Sequence, residues 1–268
     1  MRFEQVFPLP RSGAPMSRSN GRDRAVVLIH GLLPHPLMES LVAKPEISGW
    51  EKSGSSLVNA LGPNADVFAL GYGQNAPIDE IARSPALFRS VRTLKSMGYP
   101  EIVLVGHSAG GLIARYFVED WPEEGVTKVV QVCPPNGGSS WGKRTAGVRQ
   151  RQEAFITSMT KEARATNRVE RADRRIPDGV EFVCIVGLVG SVGDGIVRAD
   201  MQWTDDLQEQ GVPAIVLRTS HVTAMRSRSV IQRLVQIVCE PQSRWSSAEV
   251  EKVRQKLFGS EPSAEIRR

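Results

Sequence analysis

In Gly106-His107-Ser108-Ala109-Gly110 a serine stands two positions from a glycine on either side. A serine hydroxyl becomes a useful nucleophile only when a base within hydrogen-bond reach takes its proton, and histidine is the side chain whose pKa suits that task near neutrality. The chain offers His30, His35, His107 and His221. A working base also needs an acceptor on its second ring nitrogen, which holds the imidazole in the right tautomer. Asp194, inside Gly193-Asp194-Gly195-Ile196-Val197, is the candidate, and Asp200 is its rival six residues on. An aspartate between glycines can equally be a simple turn former. Its place among the strands and helices has to decide.

Residues 101–105 (EIVLV) lead straight into the serine pentapeptide as a buried strand, and residues 111–117 (GLIARYF) leave it as a helix. On such a bend the serine is held at strained backbone angles, and the flanking glycines are required because a Cβ would strike the neighbouring strand and helix. The hydroxyl is pushed out over the sheet edge at a helix N-terminus, where the dipole favours a developing oxyanion.

Similar apolar runs occur at 25–29, 65–70, 127–133, 181–186 and 213–218, with helical periods at 55–61, 85–97, 110–121 and 222–238. Strands that are apolar without alternation are buried on both faces, so the expected fold class is α/β: a doubly wound, mostly parallel central sheet with helices on both faces. Ligands in such sheets sit beyond the carboxyl ends of the strands. His221 follows the last predicted strand, whose loop returns over the serine bend, and Asp194 follows the 181–186 strand. His30 ends the first strand, His35 lies in the loop behind it, and His107, next to the serine, should point elsewhere.

Two stretches, 32–54 and 134–179, exceed ordinary connection lengths and are expected to form the walls or a small cap of a substrate pocket. The middle of the second, 148–165, has helical character, and 164–175 reads as a solvated, arginine-rich surface segment. Residues 1–24 are expected to be a partly flexible N-terminal segment, and 25–240 one α/β domain. Residues 241–268 should hold a C-terminal helix at 247–258, capped by Ser246 or Ser247 and closed by Gly259, then a mobile tail.

The strand ending in His30-Gly31, the Gly-His-Ser-Ala-Gly-Gly bend at 106–111, and Gly-Asp-Gly-Ile-Val followed by a lone histidine resemble the α/β-hydrolase superfamily, in particular its lipase-like serine esterases. The resemblance extends over residues 25–238. It implies an ester-cleaving triad in the chain order Ser108, Asp194, His221, working through an acyl-enzyme without a cofactor. It also implies an oxyanion hole built from two backbone N–H groups. Ala109 supplies one, and Leu32 the other, because His30-Gly31-Leu32 resembles the lipase turn. His30 would then brace the loop. The longer His-Gly-Gly-Gly form is absent, which places the chain outside the branch that uses it. Leu33, Met38, Trp50, Trp141 and Phe155, on the two long stretches, are the candidates to shelter the acyl group. Asp205 and Asp206 read as helix-start or surface acids, and no metal site is expected.

Lys plus Arg (34) exceed Asp plus Glu (29) by five, a surplus too small for a cationic stripe, so nucleic acid is not an expected partner. A small acyl ester is. Cys133, Cys184 and Cys239 lie in apolar runs without CxxC spacing and read as buried free thiols. With neither a signal-length apolar run at the start nor eighteen consecutive apolar residues anywhere, the expectation is a soluble, cytoplasmic protein without an integral membrane segment. The oligomeric state is left open. The same triad would serve a thioesterase, amidase or acyltransferase, and the same fold can carry a non-catalytic binding module.

Overall fold

The computed structural model describes residues 1–9, 15–33, 41–140 and 150–259. The apolar runs become β2 (Arg24–Ile29), β3 (Asp66–Gly71), β4 (Glu101–His107), β5 (Lys128–Val132), β6 (Glu181–Leu188) and β7 (Ala214–Arg218), paired in parallel throughout. An additional strand, β1 (Arg2–Val6), runs antiparallel along β3. Among the described residues the sheet has seven strands in the order β1-β3-β2-β4-β5-β6-β7.

Part of the N-terminal segment is thus ordered as an edge strand. Its sequence, Arg-Phe-Glu-Gln-Val, has only two apolar residues, Phe3 and Val6, which pack on opposite faces of the sheet, a weaker signal than a continuous apolar run. Phe3 anchors it by stacking on Phe68, ring centroids 5.5 Å apart.

The two faces of the sheet carry separate cores, and the pleat assigns successive residues to them. Val27 and Ile29 of β2 join Leu104, Phe117, Phe182 and Trp203 on one face. Val26 and Leu28 join Val103, Val130, Leu57 and Leu234 on the other. The second face is covered by α1 (Ser56–Leu61) and α9 (Arg228–Cys239), the first by α3 (Pro85–Ser96) and α4 (Ala109–Asp120) among others. Leu104 is fully buried, so Leu104→Ala should cost about 2–5 kcal/mol.

The remaining helices are short. α2 (Ile78–Ala82) precedes α3, while α7 (Ala199–Gln202) and α8 (Asp205–Glu209) lie between β6 and β7. Four or five residues hold barely one turn, too little for periodicity to reveal. The helical stretch at 148–165 divides into α5 (Glu153–Thr157) and α6 (Lys161–Glu170), because Thr160 turns extended and caps the Ala163 N–H at 3.3 Å. The stretch at 222–238 likewise opens as a 3-10 turn (Ala224–Arg226), and α9 starts only after the extended Ser227. α10 (Ser247–Phe258) has Ser246 as its cap, in a reciprocal box with Glu249, and packs Val250 and Phe258 against the first core. The tail beyond 259 lies outside the described residues. No helix among the described residues is long and apolar enough to cross a membrane.

Parallel register places the chemistry. Ile29 pairs with Gly106, so the turn after β2 emerges beside the serine bend after β4. The loops after β6 and β7 emerge at the same edge.

Candidate active site

Ser108 sits between β4 and α4 at φ 54°, ψ −125°, a left-handed conformation that costs a non-glycine residue about 1–3 kcal/mol. Close packing holds it there. A Cβ on Gly110 would come within 2.1 Å of the Ile29 carbonyl oxygen, and one on Gly106 within 2.3 Å of the Gly110 carbonyl oxygen. Only glycine lets the bend press onto both neighbours. The Ser108 N–H is fixed to the Val132 carbonyl at 2.9 Å, which leaves the hydroxyl at the mouth of α4.

His221, from the loop after β7, places Nε2 2.9 Å from Ser108 Oγ and Nδ1 2.7 Å from Asp194 Oδ2. A carboxylate only accepts, so the ring proton belongs on Nδ1 and Nε2 is left to accept from the serine. The other Asp194 oxygen accepts from the N–H groups of Ile196 (2.9 Å) and Val197 (2.7 Å). Burial by itself would raise the Asp194 carboxyl. The hydrogen bond and charge of His221, with the two amide donors, outweigh it and hold the carboxyl below its ordinary range. The rival Asp200 pairs with Arg198 at 3.0 Å instead, near the surface.

The other histidines do different work. His107 turns away from the serine and donates from Nε2 to the His221 backbone carbonyl at 2.9 Å, fixing His221 from behind. Burial, then the neighbouring His221 charge, pushes His107 down to about 3, so it stays neutral at working pH. His30 is fully buried, stacked on Tyr72 at 4.3 Å, with Nδ1 2.7 Å from the Gly31 carbonyl of its own turn. His35 lies outside the described residues.

The turn that carries Leu32 is held by residues the sequence reading did not select. Gln74 donates to the Gly31 carbonyl (2.8 Å) and accepts from the Leu33 N–H (3.0 Å), while Gln152 donates to both Gln74 Oε1 and the Leu33 carbonyl, each at 3.0 Å. Tyr72 donates to the His30 carbonyl at 2.5 Å. Among the described residues no backbone acceptor takes the N–H of Leu32 or Ala109, which leaves both available beside Ser108.

These groups open on a cavity of about 410 Å³. Leu32, Leu33 and Trp50 line it, together with Ser48, Met159, Ile196, Val197, Val222 and Met225. Ile196 and Val197 lie two and three residues after Asp194 in the same segment, the one signal that pointed to them. Phe155 does not line the cavity. Its position on α5 turns it inward, and it is fully buried against Tyr72, ring centroids 6.1 Å apart. Met38 and Trp141 lie outside the described residues.

Cys133 and Cys184 are buried free thiols and Cys239 is half-buried. Cys133 stands beside the acid at φ 52°, and burial followed by the Asp194 charge pushes its thiol well up. Among the described residues, Cys133, Asp194 and His221 are the one such group compact enough to hold a metal, with ligand atoms within 4.8 Å of one another. Asp194 and His221 are already hydrogen-bonded to each other, and burial keeps the proton on the Cys133 thiol.

The fold has solved counterparts. The mature form of Bacillus licheniformis lipase BlEst2 is similar over 88% of this chain and 98% of its own, with a TM-score of 0.66 at 12% identity. Aspergillus fumigatus lipase B is similar over 91% of this chain and 58% of its own, TM-score 0.59, 16% identical. The metagenomic carboxyl esterase MGS0156 matches over 92% and 79%, TM-score 0.52, 15% identical. At such identities the likeness is one of fold. A comparison with curated protein sequences finds no match. The model of the alpha/beta hydrolase family matches residues 26–260. That span takes in the sheet from β2 onward and every loop that meets at Ser108, and the chain belongs to the alpha/beta hydrolase family.

Proposed function

We propose that the protein is a carboxylic-ester hydrolase that works through an acyl-enzyme on Ser108. The observation that carries this reading is the unbroken chain Ser108 Oγ, His221, Asp194, with contacts of 2.9 and 2.7 Å, opening on an apolar cavity. Solved relatives of the same fold that are lipases and esterases support it.

The ester carbonyl sits above Ser108 with its oxygen toward the N–H groups of Leu32 and Ala109. His221 Nε2 takes the hydroxyl proton as Oγ bonds to the carbonyl carbon, and the oxyanion that forms accepts from both amides. Asp194 stays ionised throughout, which its depressed pKa favours, and offsets the imidazolium charge. His221 then hands the proton to the alcohol oxygen as the carbon–oxygen bond breaks. A water enters, gives its proton to the same nitrogen, and releases the acid from Ser108. The acyl part lies against Leu33, Trp50, Met159 and Met225. The described part of 134–179 is too polar for an interfacial lid, so soluble or dispersed esters are the favoured substrates.

A fluorophosphonate probe should label the wild type and leave Ser108→Ala unlabelled. A panel of p-nitrophenyl esters of increasing chain length should then show turnover with an optimum set by the cavity. Matched ester, thioester and amide substrates separate an esterase from a thioesterase or amidase. Absence of labelling at any serine would return the chain to a binding role.

A further inference from the structure

Among the described residues, the walls of the triad cavity carry one arginine and, besides the histidines, no other charged or titratable side chain. Asp194 does not line it, being 1% exposed and bonded to the far side of His221. The arginine is Arg226, an exposed residue that ends the 3-10 turn Ala224–Arg226. That turn is tied to the loop of the base. The Ala224 N–H donates to the Ser220 carbonyl at 3.0 Å, and the Arg226 N–H to the Thr223 carbonyl at 2.9 Å. A cation is therefore joined to His221 by a short, hydrogen-bonded stretch of backbone.

Its guanidinium reaches a second part of the wall. A Cβ on Gly49 would lie 3.8 Å from Arg226 Nη2, and Gly49 opens the 3-10 turn Gly49–Glu51, between Ser48 and Trp50. Ser48, Trp50 and Met225 all line the cavity. Arg226 thus adjoins both Met225 and the Trp50 turn, where the acyl part of an ester would lie.

Other arginines at the surface have acids of their own. Arg198 has Asp200, Arg83 has Asp120 and Arg92 has Glu124. Among the described residues no carboxylate pairs with the Arg226 side chain. Its field, beside hydrocarbon walls that screen charge poorly, is left to attract an anion that enters the cavity. One guanidinium neutralises one charge. A carboxylate brings one, in a shape that matches the fork of two N–H donors. A phosphomonoester brings nearly two at neutral pH, and the second would have no partner.

We propose that the preferred substrates are monoesters of dicarboxylic acids, bound with the acyl chain along Trp50 and Met225 and its free carboxylate on Arg226. This rests on the ester-hydrolase reading of the triad and adds a second point of recognition to it. Since the guanidinium is at the solvent edge, the pair should be worth about tenfold in affinity, below what a buried pair gives.

Paired substrates test this: the mono-p-nitrophenyl ester of hexanedioic acid, ionised at pH 7, and the same compound with its carboxylate capped as a methyl ester. The wild type should favour the carboxylate by about tenfold in kcat/KM, mainly through KM. Sodium chloride at about 1 M should narrow the ratio. Arg226→Gln should bring it to about one, and Arg226→Glu below one. Arg228→Gln removes an exposed charge two residues on, outside the cavity lining, and should keep the wild-type ratio. Calorimetric titration of Ser108→Ala with monomethyl and dimethyl hexanedioate reads the same preference without turnover. A failure of the ester reading alone would therefore leave this binding preference intact while the wild type hydrolyses neither ester. The proposal falls if the carboxylate binds no better than its methyl ester, if Arg226→Gln keeps the preference, or if Arg228→Gln loses it equally. It falls too if the preference appears only with the carboxylate on the alcohol, as in 4-carboxyphenyl hexanoate against phenyl hexanoate.

Discussion

The bend that carries Ser108 and the turn that carries Leu32 emerge side by side from β4 and β2, yet they are held in opposite ways. The serine bend is fixed locally. Two glycines that admit no Cβ, one strand before them and one helix after them account for its strained backbone. The Leu32 turn is fixed from a distance, by Tyr72 and Gln74 after β3 and by Gln152 more than a hundred residues on. Both would present an N–H to the same oxyanion. One is held by the backbone's own sterics, the other by a buried amide network that depends on the whole fold being in place.

On the proposed mechanism the largest effect belongs to the local side of this comparison. Ser108→Ala should lower kcat/KM for a p-nitrophenyl ester by about 10⁶ while the Tm stays near that of the wild type. A variant retaining more than a small fraction of the rate would move the nucleophile elsewhere. Asp194→Asn comes next, with a fall in kcat of about 10⁴, because the imidazole would then settle in the wrong tautomer. Asp200→Asn, which loses only a surface pair with Arg198, is the control and should stay close to the wild-type rate.

The distant brace gives the next smaller effect and the sharper test. Gln74→Ala removes the group that both donates to Gly31 and accepts from Leu33, so the Leu32 amide loses its aim. The expected loss is up to about 10² in kcat, the scale of one oxyanion donor, with KM little changed. Gln152→Ala should cost less, since Gln74 keeps its own two bonds. If Gln74→Ala lowered only Tm, the network would be structural alone and the contrast between the two turns would vanish.

The same contrast explains what could be read in advance. Strands β2 to β6 announce themselves as continuous apolar runs, because burial on both faces leaves no alternation. β1 does not, since an edge strand with three polar residues in five looks like any polar segment. The serine bend is legible because its geometry is written in five adjacent residues. Asp194 and His221 are reachable because chain order along a parallel sheet fixes which loops share an edge. Gln74, Gln152 and the His107 contact to the base are not, as each acts through a partner between 41 and 119 residues away. Phe155 fails for the related reason that an apolar residue on a short helix does not say which way it faces. Arg164 and Arg171, both buried, fail because charge next to charge looks solvated until Tyr116 and, for Arg171, the acids of α4 are folded against it.

His107 is the smallest effect on rate and the most informative about pH. Its Nε2 donates to the His221 carbonyl, a bond that Gln can imitate, so His107→Gln should keep kcat at neutral pH within about threefold of the wild type. Stability should respond differently. Burial first, and the His221 charge second, depress the His107 pKa from the usual 6.5 to about 3 in the folded protein. Between those values the unfolded chain binds a proton that the native state refuses, and stability therefore falls as pH drops from about 6.5 toward 3. Asp194, also depressed, adds its own loss only below the ordinary aspartate value of about 3.9. Urea unfolding of wild type and His107→Gln at pH 7, 5.5 and 4.5 separates the two, because only the histidine titrates in that window. The wild type should lose stability steadily across the series and the variant should lose less. Parallel curves would mean that His107 is protonated in the folded state, and that the base is not braced from behind by a neutral ring.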